Sequence, residues 1–189
     1  MTDPVRIFLH AAPLALLLAT IGAAAQPTRE TRLARLQSDI LASPSATQLL
    51  TARCAELKLA TPAVVRAQTV PASEGAAADV RTLLQVNAAE PVRHRQVRLT
   101  CGGHVLSLAD NWYVPSRLTP DMNRSLDSTD TPFGTVVRPL NFHRNTVAVT
   151  PQSGETVLQV KAVLLTPQES PISLVIENYS GELLDDPKP

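Results

Sequence analysis

The sequence predicts an α+β domain in which helices pack on one face of an antiparallel β-sheet. Three observations predict it. Apolar residues recur at helical spacing early in the chain and alternate at strand spacing later. Gly102-Gly103 falls between two alternating runs, where a hairpin turn belongs. Two Thr-Pro pairs, Thr119-Pro120 and Thr131-Pro132, interrupt the strand-rich part with the signature of helix starts. A chain of 189 residues has room for one sizeable core.

Taken in order, Leu33, Leu36, Ile40 and Leu41 predict a helix over 28–41, ended by Ser43-Pro44-Ser45. Ser45 is placed to cap a second helix carrying Leu49, Leu50 and Leu57 on its apolar side, and Thr61-Pro62 ends that unit. Residues 63–70 read as a short strand and 76–86 as a short helix. The alternating run 92–101 and its partner 104–114 form the central hairpin. Thr119-Pro120 opens a helix over 121–126, and Thr131-Pro132 opens another through Val137. Strands follow over 141–150, 156–166 and 171–179, the last two pairing across a tight connection. The organisation is a leader over 1–25, a helical segment over 26–62, the sheet domain over 63–180 and a flexible acidic tail over 181–189.

Lys+Arg and Asp+Glu both number 17, and the leader carries one of each sign, Asp3 and Arg6. A neutral chain argues against nucleic acid, which demands a clustered positive surface. Arg6 and His10 precede an apolar run ending Ala23-Ala24-Ala25, a small-x-small pattern for cleavage before Gln26. That run falls short of the roughly 20 residues that span a bilayer, so export to the periplasm or beyond is expected rather than an anchor. No later segment is long enough for a membrane span. In an oxidising compartment Cys54 and Cys101 can form a disulfide, contributing roughly 3–4 kcal/mol in the chain-entropy model. Two separate buried thiols are the alternative.

One strand position stands out. Alternation over 92–101 puts Arg93, Arg95, Val97, Leu99 and Cys101 on one face, with Arg95 among the apolar residues. A guanidinium there needs a partner, because burying a lone charge is very costly. The partner is a structural carboxylate, the commoner case, or an anionic ligand, which a planar guanidinium suits well. His10, His94, His104 and His143 lack metal-ligand spacing, and no nucleophile, phosphate or dinucleotide motif occurs. Asp121, Asp127 and Asp130 sit at helix starts and turns, where carboxylates satisfy free N–H groups. Trp112 and Tyr113 point to opposite faces, so at least one is core packing.

The run 95–101, its Gly-Gly turn and the returning strand ending Tyr113-Val114-Pro115 resemble the central hairpin of chorismate lyase. Thr131-Pro132-Phe133-Gly134 resembles that family's helix start, and 158–165 with 171–177 resembles its closing hairpin. The effector-binding domains of a GntR-type regulator subfamily share this fold and are similar in the same way. The likeness covers about 90–180 and implies the chorismate lyase-like fold. It implies a lyase without metal or cofactor that releases pyruvate from chorismate or a related enol-ether carboxylate, leaving 4-hydroxybenzoate. By the same resemblance Arg95 holds the ring carboxylate, Glu177 assists loss of enolpyruvate as an acid, and the Phe133 backbone N–H helps hold the substrate. The chain departs from that pattern at Asp110-Asn111, where Gly-Arg is expected, which removes a positive charge. Alternation sets Glu177 with Ser173 and Val175, opposite Ile172, Leu174 and Ile176, so a β-bulge is expected to turn it inward. Two further functions fit the sequence: an exported non-catalytic binding domain for a small aromatic carboxylate, and a structural domain in which Arg95 and Glu177 pair.

Overall fold

The computed structural model describes residues 26–71 and 79–188. The expected leader lies outside them. Helix α1 (Arg29–Ala42) starts at Thr28, whose hydroxyl accepts a hydrogen bond from the Thr31 N–H, and buries Leu36 and Ile40, one turn apart. Helix α2 (Ala46–Glu56) buries Leu50 and Cys54 with the same spacing. Ser45 takes the cap position of α2 without a side-chain capping bond. Instead the Ser43 hydroxyl donates to the Ser45 carbonyl at 2.9 Å and tightens the turn between the helices.

Strands β1 (Val65–Val70), β2 (Arg93–Cys101), β3 (His104–Tyr113), β4 (His143–Pro151), β5 (Thr156–Leu165) and β6 (Pro171–Ser180) form one antiparallel sheet in the order β1-β2-β3-β6-β5-β4. Gly102 turns the β2–β3 hairpin at φ +58°, a left-handed conformation that glycine adopts at no steric cost. Of the expected helix over 76–86, the described part is the single turn α3 (Val80–Leu83), which a left-handed Gln85 follows. Helix α4 (Pro120–Ser128) begins as expected, with the Thr119 hydroxyl accepting from the Met122 N–H. Helix α5 (Phe133–Val136) starts one residue later than expected. There the Thr131 hydroxyl accepts from Thr129, while the Pro132 carbonyl takes the first helical bonds from Thr135 and Val136.

Helices α1, α2, α4 and α5 cover one face of the sheet. Its core has two halves: α1 and α2 over Val97, Leu99 and Tyr179, and α4 and α5 over Tyr113, Leu164 and Val175. On the opposite face α3 packs over Trp112, Val163 and Leu174, so Trp112 and Tyr113 are both core residues. A disulfide joins Cys54 of α2 to Cys101 at the end of β2. The expected tail is shorter than 181–189. Gly181–Leu184 forms a 3-10 turn that buries Leu183 and Leu184, because α1 and α2 need apolar cover at their ends. Among the described residues no helix is long and apolar enough to cross a membrane.

Candidate functional site

The seam between the two core halves holds a cavity. Its floor is the sheet and its roof is the α1–α2 junction at Pro44–Thr47 together with Phe133 and Gly134 of α5. The floor follows from the register. Arg95 lies opposite Asn111 and Val97 opposite Ala109, while Asn111 and Ala109 lie opposite Val175 and Glu177 on β6. All six side chains therefore face the helices.

Arg95 and Glu177 line this one cavity, and no bulge was needed to bring them together. The β3–β6 ladder runs from Ser107↔Tyr179 to Tyr113↔Ser173 without a register shift. The expected inversion came from taking the apolar Ile172, Leu174 and Ile176 as the helix-facing set. Leu174 and Ile176 belong to the second apolar layer beneath α3, and only Ile172, near the start of the strand, packs in the half under α4 and α5. Strand β6 is central and covered on both sides, so hydrophobic alternation does not identify its faces.

The structural pair expected of Arg95 with a carboxylate does not form among the described residues. Arg95 is only 8 % exposed. Its Nη2 donates to the Thr129 carbonyl at 3.3 Å, while Nε and Nη1 are buried without a hydrogen-bond partner. Among the described residues it makes no ion pair. Burial pushes its pKa below the ordinary arginine value, against the attraction of Tyr113 and Asp127. Glu177 pairs not with Arg95 but with Arg144 of β4, whose Nη2 donates to Oε2 at 2.5 Å. The Tyr179 hydroxyl donates to the same oxygen at 2.9 Å. The side chains of Arg144 and Glu177 are 5 % and 8 % exposed. Burial alone would lower the Arg144 pKa, but Glu177 and Tyr179 more than offset it and hold it above its ordinary value. Burial, reinforced by Glu177, pushes the Tyr179 hydroxyl well above the usual phenol pKa.

Arg144 brings a second guanidinium to the cavity, where Glu177 offsets its charge. The sequence reading missed it because its neighbours His143 and Asn145 are polar too, so no apolar contrast marks it as inward-facing. Asn111 lines the cavity, with its side-chain oxygen accepting from the Ser173 hydroxyl at 2.9 Å. Asp110 points to the opposite face and binds His94 and Gln96. Phe133 walls the cavity and packs tilted on Tyr113, with ring centres 5.6 Å apart.

The other singled-out residues lie elsewhere. His94 stacks on Trp112, His104 bonds Glu182, and His143 sits beside Glu169. His10 is outside the described residues. Asp121, Asp127 and Asp130 pair with Arg124, Arg93 and Arg66, because each turn sets them beside a guanidinium. No group of three or more His, Cys, Asp or Glu side chains able to share a metal ion occurs among the described residues.

The inner cavity is small, about 50 Å³. It adjoins an outer vestibule of about 310 Å³, with which it shares Pro44, Ser45, Gly134 and Phe142. Gly134 permits this close approach: a Cβ there would come within 3.1 Å of the Ser45 hydroxyl and 3.4 Å of the Thr47 hydroxyl.

No family model matches the chain. The uncharacterized protein y4mC of Sinorhizobium fredii is 36 % identical to it over 179 residues, which span 82 % of this chain and 76 % of the relative. The chain belongs to the y4mC family. Among solved structures, PhnF from Mycobacterium smegmatis superimposes with a TM-score of 0.55 at 13 % identity, covering 77 % of this chain and 68 % of that one. The effector domain of PhnF from the same organism gives a TM-score of 0.52 at 14 % identity, covering 74 % of this chain and 90 % of that one. The y4mC-family chain thus has the α+β fold of that effector domain, in keeping with the broad chorismate lyase-like architecture that its hairpins resemble.

Proposed function

We propose that this y4mC-family domain binds a small organic anion, of the aromatic carboxylate class, with Arg95 as the contact for the carboxylate. One observation carries the proposal: a buried guanidinium with two nitrogens lacking any partner lines a cavity. Leaving such a group unsatisfied costs on the order of 1–3 kcal/mol or more, and a bound carboxylate would recover that cost through two parallel hydrogen bonds. Glu177 offsets the charge of Arg144, so Arg95 supplies the net positive charge of the cavity. Phe133 supplies apolar wall. The Phe133 N–H opens a single helical turn, which carries little dipole. The inner cavity takes the carboxylate and the vestibule takes the body of the ligand; together they reach the roughly 300 Å³ at which small-ligand sites begin. The similar PhnF structure is an effector domain, which agrees with a binding role.

The lyase reading has its own support, since Arg95 and Glu177 line one cavity. It requires Glu177 to deliver a proton to a leaving oxygen. The Glu177 Oε2 instead accepts from both Arg144 and Tyr179, an arrangement suited to holding a guanidinium in place. Binding without turnover is therefore the reading this geometry supports best. The domain works outside the cytoplasm, where the leader-like 1–25 would send it and where the Cys54–Cys101 disulfide would persist.

Calorimetric titration with 4-hydroxybenzoate tests the binding role. Saturable binding is expected, with a loss of at least about tenfold in Arg95→Ala. Unchanged affinity in that variant would move the site elsewhere. Incubation with chorismate, followed by chromatography, is expected to yield no 4-hydroxybenzoate above background; turnover would restore the lyase reading.

A further inference from the structure

A second cleft, of about 160 Å³, lies where α1 and α2 meet the acidic segment after the 3-10 turn, and it shares no lining residue with the sheet cavity. Three guanidinium groups line it: Arg32 and Arg35 of α1, and Arg53 of α2. Two of them are aimed by the turn. Arg32 Nη1 donates to the Leu184 carbonyl at 3.0 Å, and Arg53 Nη2 donates to the Leu183 carbonyl at 2.7 Å. Leu183 and Leu184 are buried, so these carbonyls are fixed and hold the two guanidinium groups in place. Glu56 takes Arg53 Nη1 at 2.7 Å. Donor capacity is left over: Arg53 Nε is buried without a hydrogen-bond partner, and Arg35 makes no ion pair among the described residues.

The acidic segment already sits in this cleft, but it fits it incompletely. Asp186 lies across the Arg32 fork, with Oδ1 2.9 Å from Nη1 and Oδ2 3.1 Å from Nη2. Asp185 also lines the cleft, yet it makes no ion pair among the described residues. The Asp186 side chain is 69 % exposed, and an exposed ion pair is screened and stabilises little. Beyond it, the Lys188 N–H donates to the Leu57 carbonyl at 3.2 Å, and the Lys188 ammonium donates to His104 Nε2 at 2.8 Å in an exposed contact. Residues 185–188 are thus held by a few surface contacts, next to an anchor that is buried.

We propose that this cleft docks an acidic peptide segment of a partner protein, and that Asp185-Asp186 is a built-in competitor that the partner segment displaces. The chain's own contacts show the mode of recognition: a carboxylate laid across the planar Arg32 fork. A partner segment places one carboxylate there and a second against the spare donors of Arg35 and Arg53. Leu183 and Leu184 stay seated throughout and keep the arginines aimed. This docking role stands independently of the ligand cavity.

The test is fluorescence anisotropy of a labelled Gly-Asp-Asp-Pro-Gly peptide with the full chain, beside a control peptide carrying Asn in place of both Asp. The double variant Asp185→Asn/Asp186→Asn removes the competitor's charge. It is expected to bind the acidic peptide about three- to tenfold more tightly than the native chain and to leave the control peptide unbound. Asp121→Asn/Glu169→Gln makes the same change in net charge at exposed positions outside the cleft, and no gain is expected from it. Adding Arg32→Gln to the first double variant abolishes the gain. Adding Arg35→Gln, at an exposed position, reduces it, which keeps the test open if the Arg32 variant fails to fold. No gain in the first double variant, an equal gain in the second, equal binding of the control peptide, or an undiminished gain with Arg35→Gln would each overturn the proposal. Displacement of the peptide by an equal concentration of inorganic phosphate would overturn it too, by marking a site for any anion.

Discussion

At the residue scale, the site is a contest between burial and charge. Arg144 and Glu177 are both nearly out of water, and each tolerates it only because the other is present. Removing one partner leaves a buried lone charge, so Glu177→Gln is expected to destabilise the fold by about 3 kcal/mol, read as a lowered denaturation midpoint. A small effect would mean that water reaches the pair. Tyr179 gives a pH signature. Its folded pKa lies well above the ordinary 10.0, through burial and then Glu177. The unfolded tyrosine releases its proton first, so this part of the stability is present below about pH 10 and is lost as pH rises beyond it. The stability curve of Tyr179→Phe should therefore fall less steeply than the wild type above that pH; parallel curves would contradict the assignment. Sequence legibility was uneven at this scale. Arg95 stood out because its strand neighbours Val97 and Leu99 are apolar. Glu177 was found through resemblance, but its direction was misjudged because β6 is buried on both faces. Arg144 was invisible among polar neighbours on an edge strand.

At the element scale, α2 couples the fold to the cavity. Its first residues roof the site, while Cys54 near its other end is bonded to β2, the strand that carries Arg95. Arg53 beside it donates to the Leu183 carbonyl at 2.7 Å, which draws the C-terminal turn onto the same helix. Exchanging both cysteines for alanine is expected to cost about 2–5 kcal/mol of stability and to weaken 4-hydroxybenzoate binding; full affinity would show that α2 stays seated without the bond. Gly134→Val is expected to crowd Ser45 and Thr47 at the neck and to reduce affinity without a comparable change in stability. Most elements were legible because caps and periodicity are local: Thr28, Thr119 and Gly102 each act within a few residues. The late start of α5 was not, since it depends on Thr129 taking up the Thr131 hydroxyl.

At the scale of the whole molecule, the order β1-β2-β3-β6-β5-β4 brings the two hairpins together through β3 and β6, and that single pairing assembles Arg95, Asn111 and Glu177 on one floor. Hairpins could be read from turn residues, but the β3–β6 junction joins segments far apart in the chain and carries no local signal. The N-terminal helices, which had no counterpart in the resemblance, proved to be the roof. Export remains a proposal at this scale. N-terminal sequencing of protein recovered from the periplasm should begin at Gln26; recovery of intact chain from the cytoplasm alone would contradict it. The most direct measurement is a crystal structure of the domain grown with 4-hydroxybenzoate. The carboxylate is expected within hydrogen-bond distance of Arg95 Nε and Nη1, under the roof of Ser45 and Gly134. A ligand bound at another surface, with Arg95 still unpartnered, would contradict the account.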